Sequence, residues 1–194
     1  MKSMFEKCTS LKTVYLSDLN VEYVTSVEKL FEGCTSLRSV DLSNWNKKSL
    51  TDMTNMFTGC TNLKSVNIAN FDTNLVTLFS SLFLNCESLE DVDLSKLTTN
   101  KVKDMSHMFE NCSSLTSIYL KNFNTENTMD MRSMFKGCKG LYELDLSSFS
   151  TKSINTLNDM FGSINHELKV KVNRDNAERI VDEYEYHEYV KLEF

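Results

Sequence analysis

The feature that most constrains this chain is a repeat of fixed length. A phenylalanine recurs every 26 residues without insertion or deletion, and a cysteine follows three residues later in all but the last copy. A strict period of this length is typical of solenoids, in which each repeat packs only against its neighbours. The sequence therefore predicts one stacked array. The phenylalanines are Phe5, Phe31, Phe57, Phe83, Phe109, Phe135 and Phe161, and the cysteines are Cys8, Cys34, Cys60, Cys86, Cys112 and Cys138.

The apolar positions within one repeat predict its secondary structure. In the third copy, five apolar residues from Leu50 to Cys60 have helical spacing, which indicates a short helix. Val66 and Ile68 alternate with polar residues, which indicates a strand. Because the strands recur in one register, they are expected to pair in parallel along the array. The predicted fold is an α/β repeat, a right-handed solenoid with one short parallel strand and one short helix per 26-residue coil.

The pattern also predicts where the array ends. Residues 1–156 form six complete repeats and a seventh starts at Leu157, so we assign 1–160 to the array. We assign 161–194 to a C-terminal cap of strand, helix and short strand, in which a helix starts near Asn173 or Asp175. Met1 already lies inside the repeat pattern, which predicts a fragment of a longer protein. Its N-terminal coil then exposes an apolar edge, where self-association is expected.

One cysteine per coil predicts a ladder of small, buried side chains. All six are expected to be free thiols, because in-register side chains point the same way and a disulfide would distort the stack. The chain has no C-x-x-C pair, and none of its histidines shares the register of the cysteines. The sequence therefore predicts no metal site and no cofactor.

Composition narrows the classes of partner. The formal net charge is −6, which argues against nucleic acid, since nucleic-acid partners need a basic surface. No run of about 18 apolar residues occurs, so no direct membrane insertion of this chain is expected. Neither a glycine-rich phosphate loop nor a nucleophile with a base is recognisable, and we predict no catalytic residues and no enzymatic activity.

The outward side of the strands is the candidate ligand-binding surface. One position between the two buried strand rows varies in chemistry from repeat to repeat, whereas the buried rows scarcely change. Tyrosine is a favoured contact residue, and the acidic residues suggest a basic or donor-rich partner. A solvated strand face is the alternative interpretation of the acidic positions. The candidate residues are Tyr15, Asp41, Asn67, Asp91, Asp93, Tyr119, Glu143 and Asp145.

Two copies of the repeat carry a resemblance to a known family. They are D104-M-S-H-M-F-E-N-C-S-S-L-T-S-I-Y-L-K-N-F123 and D130-M-R-S-M-F-K-G-C-K-G-L-Y-E-L-D-L-S-S-F149. This pattern resembles the 26-residue repeat of bacterial surface proteins, found in mycoplasma-type lipoproteins and BspA-like leucine-rich repeat proteins. The resemblance covers residues 1 to about 160. It implies a leucine-rich-repeat-type solenoid, surface-exposed or secreted and often adhesive, without shared catalytic residues.

We therefore expect a non-enzymatic, surface-exposed binding or adhesion module that recognises a protein or other macromolecular ligand through its strand face. Cell-surface or secreted localisation is expected, with the signal or anchor outside this fragment. The alternatives are an intracellular or secreted scaffold or effector domain, and a structural spacer in a larger surface protein. The sequence of the full gene would distinguish them, because a signal peptide or lipobox selects a surface protein.

Overall fold

The computed structural model describes residues 1–16, 19–45, 49–68 and 70–194. The regular elements among these residues are short and their pairings are parallel, as the constant register predicted. β1 pairs with β2 in one sheet, and β3, β4 and β5 follow one another in a second sheet. The elements are β1 Ser39–Asp41, β2 Ser65–Asn67, β3 Glu143–Leu146, β4 Leu168–Val172, α1 Glu178–Tyr184 and β5 Val190–Glu193.

Successive repeats lie directly on one another, displaced by one period. The rings from Phe5 to Phe161 form a continuous stack with centroids 5.4–6.0 Å apart and interplanar angles of 3–15°. Phe57 and Phe83 occupy equivalent, fully buried positions in it. Leucine, valine, methionine and cysteine rows surround the rings, so one hydrophobic core runs along the described array.

The prediction of a helix in every repeat is wrong. The residues with helical spacing form consecutive tight turns instead, and Asn55 and Gly59 have positive φ angles of 56° and 72°, which an α-helix cannot contain. Alternate N–H groups donate to the next repeat: Met53 to Leu78 (3.1 Å), Asn55 to Ser80 (3.0 Å), Phe57 to Leu82 (3.0 Å) and Gly59 to Leu84 (2.7 Å). Three N–H groups between these donate to the carbonyl group three residues earlier: Met56 to Met53 (3.3 Å), Thr58 to Asn55 (3.2 Å) and Cys60 to Phe57 (3.0 Å).

These turns explain why the pattern looked helical. A series of turns that closes every three residues buries one side of the chain at nearly the same spacing as a helix. Half of the N–H groups are then free to bond the neighbouring repeat, so the backbone is satisfied by stacking rather than by a helix. The hydrogen bonds that define the repeat therefore lie between repeats, 25 residues apart in sequence.

The predicted strand in every repeat is also incomplete. Regular strands surround Val40, Val66 and Leu144, but none of the described residues around Val92 and Ile118 belongs to one. A row of isolated parallel bridges on another side of the coil instead joins five successive pairs of repeats, from Ser26–Asp52 to Asp130–Thr156. Because the turns and bridges already tie neighbouring repeats together, a continuous sheet is not needed to hold the array.

After Phe161 the chain continues the sheet and then covers the ring stack. β4 pairs with β3, and Tyr184 on α1 places its ring edge-on to Phe161, with centroids 4.9 Å apart. The Tyr184 hydroxyl accepts a hydrogen bond from the Met160 N–H at 2.9 Å. The helix starts later than predicted, after Ala177, without a side-chain cap. The Asn173 side chain instead accepts the Asp175 N–H and closes the turn after β4.

The cysteines are free thiols, and the five from Cys34 to Cys138 are buried. Each buried thiol donates to a phenylalanine carbonyl in the preceding repeat, as Cys60 does to Phe31 at 3.1 Å. Burial raises the pKa of Cys34 to about 11 and those of Cys60 and Cys138 to about 12. The expectation of six buried thiols is wrong for Cys8, which is exposed.

Thiol titration tests this distribution. We expect a thiol-specific reagent near pH 8 to label Cys8 rapidly and the other five only after denaturation, because reaction requires an accessible thiolate. Total labelling without reductant should reach all six. Cys8→Ser is the matched control and should abolish the rapid phase. A second rapidly reacting thiol in the native protein would contradict the ladder.

Candidate functional site

The eight residues predicted for ligand binding lie on one side of the array, which we call the strand face. All eight are exposed, and the two tyrosines are among them, with Tyr15 91% and Tyr119 53% exposed. Asn67 on β2 lies directly opposite Asp41 on β1. The structure therefore brings the predicted residues into one surface that runs over six repeats.

Three aspartates of the strand face also hold its backbone. Asp41, Asp93 and Asp145 each accept the N–H of the serine two residues later at 2.9 Å. These hydrogen bonds to serine lower the pKa of each carboxyl group, so the charges persist below neutral pH. Such turns are a common role of Asp at the end of a strand. The D-x-S spacing signalled this role, which the sequence interpretation overlooked.

Among the described residues, a groove lies towards each end of the strand face. The N-terminal groove has a volume of about 280 Å³ and lies between Tyr15 and Asp41. The C-terminal groove has a volume of about 700 Å³ and is lined by Tyr142, Glu143 and Asp145 among others. Both are open, and the C-terminal groove is the more polar of the two, so they suit contact with a macromolecule better than enclosure of a small ligand.

Lysines that the sequence interpretation left out also lie on this face. Lys169 and Lys171 project from β4 and are the register partners of Glu143 and Asp145 on β3. The C-terminal end is therefore mixed in charge rather than acidic, and Lys171 contributes to the lowered pKa of Asp145. The alternation in L168-K-V-K-V172 placed these lysines outward, but their neighbours across the sheet follow only from the pairing.

A buried hydroxyl row, the threonine ladder, was likewise missed. It consists of Thr73, Thr99, Thr125 and Thr151, which are all buried. Thr125 donates to the Ser150 carbonyl at 2.8 Å and accepts the Ser150 N–H at 2.7 Å, and Thr73 and Thr99 bond their next repeats in the same way. The ladder thus satisfies backbone groups of the next repeat at a buried position and joins neighbouring repeats there.

Comparison with known protein families gives a match over most of the chain. The family model described as "Mycoplasma protein of unknown function, DUF285" matches residues 1–119 and again residues 79–188. The second match starts 78 residues after the first, which equals three periods of 26 residues, so both follow the same repeat. No curated protein matches the chain. None of the described helices is long and apolar enough to cross a membrane.

Proposed function

The chain belongs to the DUF285 family of Mycoplasma proteins, whose function is unknown. We propose that it is a non-enzymatic binding module. In this proposal the stacked repeats constitute a right-handed solenoid of the leucine-rich-repeat type, similar to BspA-like and lipoprotein repeats. The module acts at the cell surface or after secretion, and it recognises a protein or other macromolecule through the strand face.

The observation that carries the proposal is the contrast between two neighbouring rows. Leu42, Ile68 and Leu94 belong to a buried row that remains aliphatic. The exposed row beside it changes from tyrosine to aspartate to asparagine along the array. Packing accounts for the constancy of the first row, whereas stacking does not require the variation of the second. Solenoids use such an extended surface for recognition.

The chemistry of the face indicates the class of ligand. Tyr15 and Tyr119 offer aromatic surface with a polar tip, which favours contacts to protein. The charged carboxylates of Asp41 and Asp93 favour a ligand that presents basic or other hydrogen-bond-donating groups. A basic host matrix protein fits these requirements.

A structural spacer is the second candidate, and a specific observation favours it. The carboxylates of Asp41, Asp93 and Asp145 have a role in closing turns without any ligand. Their presence is therefore explained partly by the fold itself. Under this alternative, the array holds another part of a larger protein away from the cell.

A triple variant that removes two carboxylate charges and one ring tests binding without breaking the turns. Asp93→Asn and Asp145→Asn keep the oxygen that accepts the serine N–H, and Tyr119→Ala removes the exposed ring. Surface plasmon resonance against a panel of purified host matrix proteins should show affinity weakened by about tenfold or more, since central contacts of this kind contribute over 1 kcal/mol each.

The matched control makes the same changes on other sides of the coil. Asp52 and Asp104 accept N–H groups two residues later in the same way, and Tyr23 is 83% exposed. The triple variant Asp52→Asn, Tyr23→Ala and Asp104→Asn should therefore bind as the unmodified protein does. The spacer would be favoured if the strand-face triple variant bound as tightly as the unmodified protein. It would also be favoured if the unmodified protein bound none of the matrix proteins.

A further inference from the structure

The outward side of the β3–β4–β5 sheet carries a mixed array of charges. Its three strands present Glu143 and Asp145, then Lys169 and Lys171, then Lys191 and Glu193, and all six side chains are exposed. Neighbouring strands in a sheet lie about 4.8 Å apart. An acidic column thus stands directly beside a basic column at the C-terminal end of the strand face.

Within the described part of the chain, these six charged side chains are not paired with one another. Among the described residues, no salt bridge within 4.0 Å joins any two of the six side chains. Lys191 donates a hydrogen bond to the His187 carbonyl at 3.3 Å rather than to a carboxylate. Lys169 has Lys191 as its register partner on one side and Glu143 on the other, so the like-charged contact is only partly offset within the molecule.

We propose that this face is the interface of a symmetric dimer of this chain. The twofold axis runs parallel to the strands, midway between β3 and β4. It places β3 of one copy over β4 of the other, with register partners at the same position along the strand direction. Glu143 then faces Lys169 of the second copy, and Asp145 faces Lys171, with both contacts repeated by symmetry. A self-complementary patch of this kind is what a twofold interface requires.

The rest of the sheet is compatible with this arrangement. β5 of one copy falls over the residues one repeat before β3, so that Lys191 faces Ser117 and Glu193 faces Tyr119. No like charges are opposed. A twofold axis perpendicular to the strands would place Glu143 of one copy against Asp145 of the other. Repulsion between these like charges disfavours that arrangement. The acid and base columns therefore select one orientation.

The dimer goes beyond the proposed ligand binding and makes a separate prediction. Exposed charge pairs give a weak association that salt suppresses, because the screening length falls from about 30 Å at 0.01 M to about 3 Å at 1 M salt. Sedimentation velocity across a concentration series should therefore show a monomer–dimer equilibrium at low salt that shifts to monomer at high salt. No ligand is present, so this result does not depend on ligand binding, although the dimer covers Tyr119 and Asp145, which the binding variant also changes.

Charge reversal identifies the face. Glu143→Lys and Lys169→Glu should each weaken dimerisation by about tenfold or more, because each places like charges opposite one another twice. An equimolar mixture of the two variants should dimerise again, since the lysines at both positions of one copy then face glutamates of the other. Asp145 is left unchanged because it closes the turn at Ser147. Lys152→Glu and Glu126→Lys, on exposed residues elsewhere, are the controls.

Three results would overturn the proposal. The first is an unmodified protein that remains monomeric at every concentration at low salt. The second is a dimer that both reversals leave intact, such as one formed through the N-terminal coil, where Met4 is 51% exposed. The third is a mixture of the two variants that stays monomeric although both fold, as judged by circular dichroism and melting temperature.

Discussion

Phe83→Ala should lower the free energy of unfolding by about 3–5 kcal/mol, which is the usual cost of removing a buried phenylalanine. Phe83 is fully buried near the middle of the stack, with ring centroids 5.5 Å from Phe57 and 5.7 Å from Phe109. Neighbouring repeats cannot collapse into the gap, because the turn hydrogen bonds fix their separation. Urea denaturation followed by circular dichroism measures the effect.

The position of Phe83 adds a second expectation. In a linear array each repeat is stabilised mainly by its neighbours, so a cavity in the middle weakens the coupling of the two halves. The unfolding transition should broaden as well as shift. Tyr186→Ala, which removes a ring that is 93% exposed, should change stability by no more than about 0.5 kcal/mol. A loss below about 1 kcal/mol for Phe83→Ala would contradict the stacked core.

Thr125→Val should destabilise the protein by about 2–4 kcal/mol, because a buried polar group without a partner costs about 1–3 kcal/mol. Valine has nearly the shape of threonine, so packing changes little, but both the N–H and the carbonyl of Ser150 lose the hydroxyl. The midpoint and slope of urea denaturation give the free-energy change.

Two variants isolate the role of the hydroxyl. Thr125→Ser retains it and should recover most of the stability that Thr125→Val loses. Thr77→Val removes an exposed hydroxyl that donates only one long bond of 3.4 Å to Thr51, and it should be nearly neutral. If Thr125→Val were as stable as Thr77→Val, the threonine ladder would contribute nothing to the array.

The candidate site was predictable in position but only partly in chemistry. Alternation around Val66 sufficed to place Asn67 and its equivalents outward, because side chains in an extended segment point alternately to opposite sides. The bonds of Asp93 and Asp145 to serine depend on the turn that follows each segment. The placement of Glu143 opposite Lys169 depends on β4 continuing the array, although the repeat pattern has decayed there.

The sequence by itself determined the period, the stacking of repeats and the buried rows. Phe57 and Cys60 recur at positions that bury one side of the chain under any regular local structure, so their burial did not depend on which structure forms. The same spacing fits either a helix or a series of turns, so it did not decide between them. When the segment from Met53 to Cys60 is considered alone, a helix is the regular structure that pairs its N–H and C=O groups within the segment.

Tertiary structure reversed that choice. With another repeat stacked alongside, alternate N–H groups find carbonyl oxygens 25 residues away, and the positive φ of Asn55 turns the chain to meet them. The thiol of Cys60 and the hydroxyl of Thr125 acquire their partners in the same way. Apolar spacing specifies which side of the chain is buried. It does not specify where the hydrogen bonds go, because the partners of alternate N–H groups lie in the neighbouring repeat.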